Sequence, residues 1–186
     1  MKKIELMEKS KQSFGRSYRA PGAMAVVICM GLCFPPIASP AARGKLVEQN
    51  KAVARAAFEY LNHRDFQRFE ELHTKDFVKH YNNNPAENLS EEMRDAKGQF
   101  DLSADLTITE KWMIAEGDKV AVCVVAKGTH TGVFHGLPPT GKRYEFPTLT
   151  VWRFVDGKIA EEWVFLNELD LYRQLGLFKE PWSAGQ

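Results

Sequence analysis

The spacing of apolar residues changes once along the chain. From Lys45 to Leu61, the residues Leu46, Val53, Ala54, Ala57, Phe58 and Leu61 recur at helical intervals with charges between them, which predicts an amphipathic helix. Asp65 to His73, with Phe66, Phe69 and Leu72 on one side, predicts a second, shorter helix. Thr74 to Tyr81 reads as strand-like or irregular, Asn82-Asn83-Asn84-Pro85 as loop, and Ser90 as the N-cap of a third helix running to about Phe100. After that the period becomes two. Leu106 to Ala115, Lys119 to Thr129, Arg143 to Val155 and Lys158 to Leu166 are predicted strands, with tight turns at Glu116-Gly117-Asp118 and Asp156-Gly157. Pro147 has no amide hydrogen for a ladder, so its strand should be bulged or at an edge there. A short helix from Glu168 to Leu175, stopped by Gly176, closes the pattern. Helices first and strands after predict an α+β domain, with the N-terminal helices covering one face of a curved antiparallel sheet.

The first forty or so residues do not belong to that pattern. Lys2, Lys3, Lys9, Lys11, Arg16 and Arg19 precede an apolar run from Ala23 to Phe34, and Ser39-Pro40-Ala41 offers small residues for cleavage. The order is that of a secretory signal peptide over 1–41, and the apolar run is too short for a bilayer span. The expected location is therefore outside the cytoplasm, periplasmic or extracellular; retention of the segment as an anchor is the alternative. The remaining 145 residues carry 19 basic and 22 acidic side chains, enough for one domain and with nothing that favours nucleic acid or an anionic membrane. After 1–41 only Cys123 remains, inside an apolar strand, so no disulfide framework is expected.

The connection between the second and third predicted strands carries the densest signal: Gly128-Thr129-His130-Thr131-Gly132-Val133-Phe134-His135-Gly136-Leu137-Pro138-Pro139-Thr140-Gly141-Lys142. This run resembles the GTHTGxFxGxPPTGK signature of the SnoaL-like polyketide (ester) cyclases. Two further segments are similar to the same family. One is Asp76-Phe77-Val78-Lys79-His80. The other is Arg153-Phe154-Val155-Asp156-Gly157-Lys158-Ile159-Ala160-Glu161-Glu162-Trp163, continued by Gln174-Leu175-Gly176. The resemblance implies a cone-shaped fold of the nuclear-transport-factor type over 42–176, with an internal pocket and a C-terminal tail at 177–186. It also implies a homodimer, no cofactor, and a small apolar carbonyl-containing ligand. Family members place an acid/base aspartate four residues after the tryptophan; this chain has Asn167, and an amide cannot take up a proton as a carboxylate can.

Two readings of function follow. The first is a cofactor-independent enzyme acting on a hydrophobic, polyketide-like carbonyl compound, by aldol-type cyclisation or related isomerase or lyase chemistry. The alternative is a non-catalytic small-molecule-binding module of the same fold, favoured by the loss of the aspartate. A third, hydration of the epoxide-hydrolase sort, would need a pair of carboxylates in the pocket. Candidate catalytic residues are His130 and His80, imidazoles able to exchange a proton near neutral pH, and Asn167 as an amide donor. Each histidine also has a plain reading: His130 as a hydrogen-bonded member of the hairpin, His80 as a buried structural side chain. His135 reads as loop surface, and the histidine spacing matches no zinc motif, so no metal is expected. On the last predicted strand Glu161, Trp163, Phe165 and Asn167 share a parity. Trp163, Phe165, Phe134 and Tyr81 are candidate substrate contacts, and Glu161 is a candidate carboxylate on the same wall. A surface glutamate paired with Arg143 or Arg153 is the other reading of Glu161.

Overall fold

The computed structural model describes residues 39–133 and 136–178. Helix α1 (Pro40–Asn62) is followed by α2 (Phe66–Glu71), β1 (His73–Tyr81), the two-residue β2 (Glu87–Asn88) and α3 (Leu89–Leu102). Strands β3 (Thr107–Glu116), β4 (Lys119–Thr129), β5 (Arg143–Val155) and β6 (Lys158–Leu166) then lead to α4 (Glu168–Leu175). Apart from Ser39, Pro40 and Ala41, the expected leader lies outside the described residues. Ser39 caps α1 through its hydroxyl and Pro40 sits at the first helical position, so the anticipated cleavage bond falls in the first turn of that helix.

The six strands form one open, curved sheet in the order β2-β1-β6-β5-β4-β3. Its pairs are antiparallel except one: β1 runs parallel to β6, with Lys79 opposite Glu162 and Tyr81 opposite Val164. The sheet is thus mixed, where antiparallel pairing was expected throughout. The parallel pair follows from connectivity: β1 enters from the helical half of the chain and docks beside the last strand. Bulges between Glu110 and Trp112 and between Arg153 and Phe154 shift the register and add curvature. Pro147 pairs with Val125 of β4, but pairing with β6 begins only at Thr148. Its missing amide hydrogen therefore falls where the strand has one neighbour, as a proline in a ladder requires. At the Asp156-Gly157 turn both residues have positive φ, 50° and 78°, as a two-residue hairpin of primed type needs.

Alternation gives the concave face its apolar side chains. Val120, Val122 and Val124 of β4 and Tyr144, Trp152 and Phe154 of β5 pack against Ala54, Ala57 and Leu61 of α1. The small alanines let the helix come close, and Phe58 lies 5.0 Å from the Trp152 ring. Each such large side chain removed from water contributes about 1.5–3 kcal/mol. Helix α3 is capped two residues earlier than Ser90 suggests, because Asn88 closes a capping box: its side chain accepts from the amides of Ser90 and Glu91, and Glu91 accepts from the Asn88 amide at 2.8 Å. That start directs Glu92 and Asp95 of α3 towards Lys79 of β1.

Candidate functional site

The helices leave part of the concave face uncovered, and a cavity of about 580 Å³ opens there. Its apolar wall includes Leu61, Phe69, Ile108, Val124, Phe146, Trp152 and Val164. Its polar end is built by β1, α3 and β6. Lys79 is buried, and its ammonium lies 2.8 Å from Glu92, 3.0 Å from Glu87 and 3.4 Å from Asp95. Burial alone would lower the Lys79 pKa, but Glu92 and Glu162 outweigh it and hold the group charged well above the usual lysine range.

Glu162, like Glu92, is a buried carboxyl of this end. It stands opposite Lys79 on β1 and opposite Trp152 on β5. Burial, reinforced by the negative charge of Glu92, pushes its carboxyl up from 4.5 to about 8. Lys79 works against that rise, as does the Trp152 indole beside it, although the indole N–H closes no full hydrogen bond. Further along the cavity the Tyr81 hydroxyl donates to Glu168 at 2.6 Å, and burial and that carboxylate raise the phenol pKa. Among the described residues no group of three or more His, Cys, Asp or Glu side chains is set to hold a metal ion.

The residues singled out from sequence do not form one cluster. Tyr81 lines the cavity. His80, Glu161, Trp163 and Phe165 lie on the opposite face of the sheet, because Lys79, Tyr81, Glu162 and Val164 take the inward parity. The wall shared by Glu161, Trp163 and Phe165 is thus the outer one. There His80 Nε2 is 3.0 Å from Glu161 and its ring stacks on Trp163 with centroids 5.4 Å apart. Arg153 donates to Glu161 at 2.8 Å and holds its carboxyl below the ordinary range, so the surface-pair reading describes this glutamate and the raised-pKa reading does not. Phe165 is 49% exposed. Asn167 is exposed too: β6 has ended before it, its parity is that of the outer face, and its side chain caps α4 by accepting from the Asp170 amide.

His130 is fully buried, yet not in the cavity wall. Its Nδ1 is 3.1 Å from the Thr140 hydroxyl, and its backbone exchanges hydrogen bonds with Lys142 and Gly141, which closes the 130–142 connection into a strap. The amides of Thr131 and Gly132 both donate to Leu102 at the end of α3. A Cβ on Gly132 would stand 1.9 Å from the Asp101 carbonyl oxygen, so only glycine permits this contact. Phe134 and His135 fall outside the described residues.

A family model described as SnoaL-like polyketide cyclase matches residues 51–175, the whole stretch from mid-α1 through the strap to α4. The chain belongs to this family. An aklanonic acid methyl ester cyclase from Streptomyces sp. strain C5 is 31% identical over 86 residues, which is 46% of this chain and 52% of that protein. The chain spans about half the length of the curated relatives it matches. Among solved structures it is similar to AclR of Streptomyces galilaeus, a candidate hydroxylase, at 28% identity and TM-score 0.67 over 72% of this chain and 85% of that one. It is also similar to IdmH of Streptomyces antibioticus, a candidate polyketide cyclase, at 28% identity and TM-score 0.62 over 69% and 99%.

Within this SnoaL-like frame the polar end of the cavity rests on residues that sequence reasoning passed over. Glu162 and Lys79 are each next in sequence to a residue that was chosen, Glu161 and His80. The available signal was charge: a lysine in Phe77-Val78-Lys79 and a second glutamate before Trp163 interrupt apolar stretches, and such charges need each other when buried.

Proposed function

We propose that this SnoaL-like protein is a cofactor-independent cyclase acting on a hydrophobic, polyketide-like carbonyl compound, with Glu162 as its general base. The observation that carries this reading is a carboxyl buried in the wall of an apolar cavity, opposite Lys79 on the sheet, where burial and the charge of Glu92 raise its pKa towards the range in which a base must work. In its ionised form Glu162 takes a proton from a carbon flanked by carbonyls. The C–H electron pair becomes the enolate, whose carbon attacks a second carbonyl of the same molecule. The oxygen of that carbonyl receives the π pair and then the proton from Glu162, so the product is an isomer of the substrate. Lys79, the buried cation opposite Glu162 on β1, keeps the ionised state accessible. The relative from Streptomyces sp. strain C5, named for a methyl ester, makes neutral aromatic keto esters the first ligands to try.

The test is deuterium exchange at the methylene of methyl benzoylacetate in D₂O, with binding followed by calorimetry. The protein should accelerate exchange, with a rate that rises with pH and levels off above about 8. Glu162→Gln should lower the rate by ~10²–10⁴-fold, the usual worth of a positioned base, while binding persists. Exchange that survives this substitution overturns the assignment of Glu162. Binding of the ester by the parent protein without any exchange would instead support the non-catalytic binding module.

A further inference from the structure

An enolate oxygen formed beside Glu162 needs a hydrogen-bond donor, and the obvious groups are already engaged. Lys79 has three N–H donors and three carboxylates around it. Tyr81 donates to Glu168, and the Tyr144 hydroxyl donates to Ser103 at 2.8 Å. The indole nitrogen of Trp152 is sealed in the wall.

Thr150 is different. It lies on the inward stripe of β5 between Thr148 and Trp152, is 4% exposed, and lines the cavity. Its hydroxyl makes no hydrogen bond among the described residues, yet its oxygen is not sealed from the void. A valine would fill the same volume without leaving a polar group unpaired, as Val122 does directly across the β4–β5 ladder. Thr150 faces Val164 on β6, two residues from Glu162, so the two side chains are diagonal neighbours on one face. Diagonal neighbours stand about 7–8 Å apart at Cα and less at Cβ. A hydrogen bond of about 2.8 Å from hydroxyl to carbonyl oxygen, followed by the two bonds from that oxygen to the α-carbon, spans this gap.

We infer that the Thr150 hydroxyl is the donor that holds the reacting carbonyl of the substrate and stabilises the enolate oxygen while Glu162 removes the neighbouring proton. This inference rests on the reading of the cavity as a proton-abstracting site. It makes Thr150 a catalytic residue that touches the substrate, and Thr148, one pair further from Glu162 along the same stripe and opposite Leu166, a bystander.

The experiment compares Thr150→Val, Thr150→Ser and Thr148→Val with the parent protein, using methyl benzoylacetate carrying ¹³C at the ketone. Thr150→Val should slow deuterium exchange about 10²-fold, the scale for losing one oxyanion donor, without moving the pH at which the rate levels off. Thr150→Ser should restore most of the rate, and Thr148→Val should leave it unchanged. In the infrared the bound ketone stretch should lie below its solution frequency in the parent and return towards it in Thr150→Val. An unaltered stretch and rate in Thr150→Val overturns the assignment of Thr150. Because the infrared shift needs no turnover, it separates that outcome from failure of Glu162 as the base, which Glu162→Gln reports.

Discussion

A buried carboxyl that keeps its proton to about pH 8 must make the fold less stable as pH rises, and Glu162→Gln should remove that dependence. The unfolded chain releases this proton near 4.5 and the folded chain near 8. The folded state therefore binds more protons throughout that window, so the contribution is fully present below 4.5 and lost as pH rises through 8. At 1.36 kcal/mol per pH unit, the part of the window between pH 6.5 and 8.5 corresponds to about 2 kcal/mol of lost stability. Relaxation of Lys79 towards the new charge makes this a ceiling. Urea denaturation at the two pH values measures it: the parent midpoint should drop by about 1 M, given a denaturant slope of about 1–3 kcal/mol per molar. Gln cannot ionise, so the variant midpoint should stay nearly level and lie above that of the parent at pH 8.5. Parallel curves for the two proteins would mean that Glu162 ionises without burial cost, and the electrostatic account of the cavity would fall with it.

His73 should produce a slope of the opposite sign. It packs between Phe69 and Phe77, donates from Nδ1 to the Phe69 carbonyl at 2.8 Å, and burial lowers its pKa to about 4. The unfolded chain then binds more protons between 4 and 6.5, so stability falls as pH drops through that range. In the Glu162→Gln background, where the opposing slope is gone, the unfolding free energies from urea curves at pH 6.5 and 4.5 should differ by about 2 kcal/mol, and adding His73→Leu should level them; an already level Glu162→Gln protein refutes this. Gly132→Ala should lower stability by about 2–3 kcal/mol, seen as a depressed melting temperature, because its methyl group overlaps the Asp101 carbonyl and pries two amides from Leu102. An unchanged melt would show that the strap is not seated on α3.

The strands from Lys119 to Leu166 and the last helix lie where their alternation and turn residues place them, because each is specified by neighbours in sequence. The face each strand turns inward was harder to read. On β6, Ile159 and Ala160 are both apolar, Glu161 and Glu162 are both acidic, and Trp163, Val164 and Phe165 are continuous, so alternation does not choose a side. A bulge at Ala160, the unpaired residue between Ile159 and Glu161, helps to set which glutamate faces the helices. The same ambiguity runs through Lys79, His80 and Tyr81. What decides it is the cover supplied by α3, whose Glu92 and Asp95 only Lys79 can reach from β1. His130 was legible as a feature of the strap, while its depth was not. Burial there comes from contacts folding back over ten residues to Thr140, which no local period records.

The parallel pairing of β1 with β6 also sets when the molecule becomes chemically competent. Lys79 and Glu162 meet only when a segment near the start of the domain docks on its last strand, after the chain between them has been laid down. Closing so long a loop is entropically costly and tends to come late in folding, whereas the β3–β4 and β5–β6 hairpins close locally. Until that closure, Glu162 is an ordinary solvated carboxylate with an ordinary affinity for protons. The proton it retains at neutral pH is thus a tally of completed folding, and its appearance in a refolding experiment should coincide with the final phase.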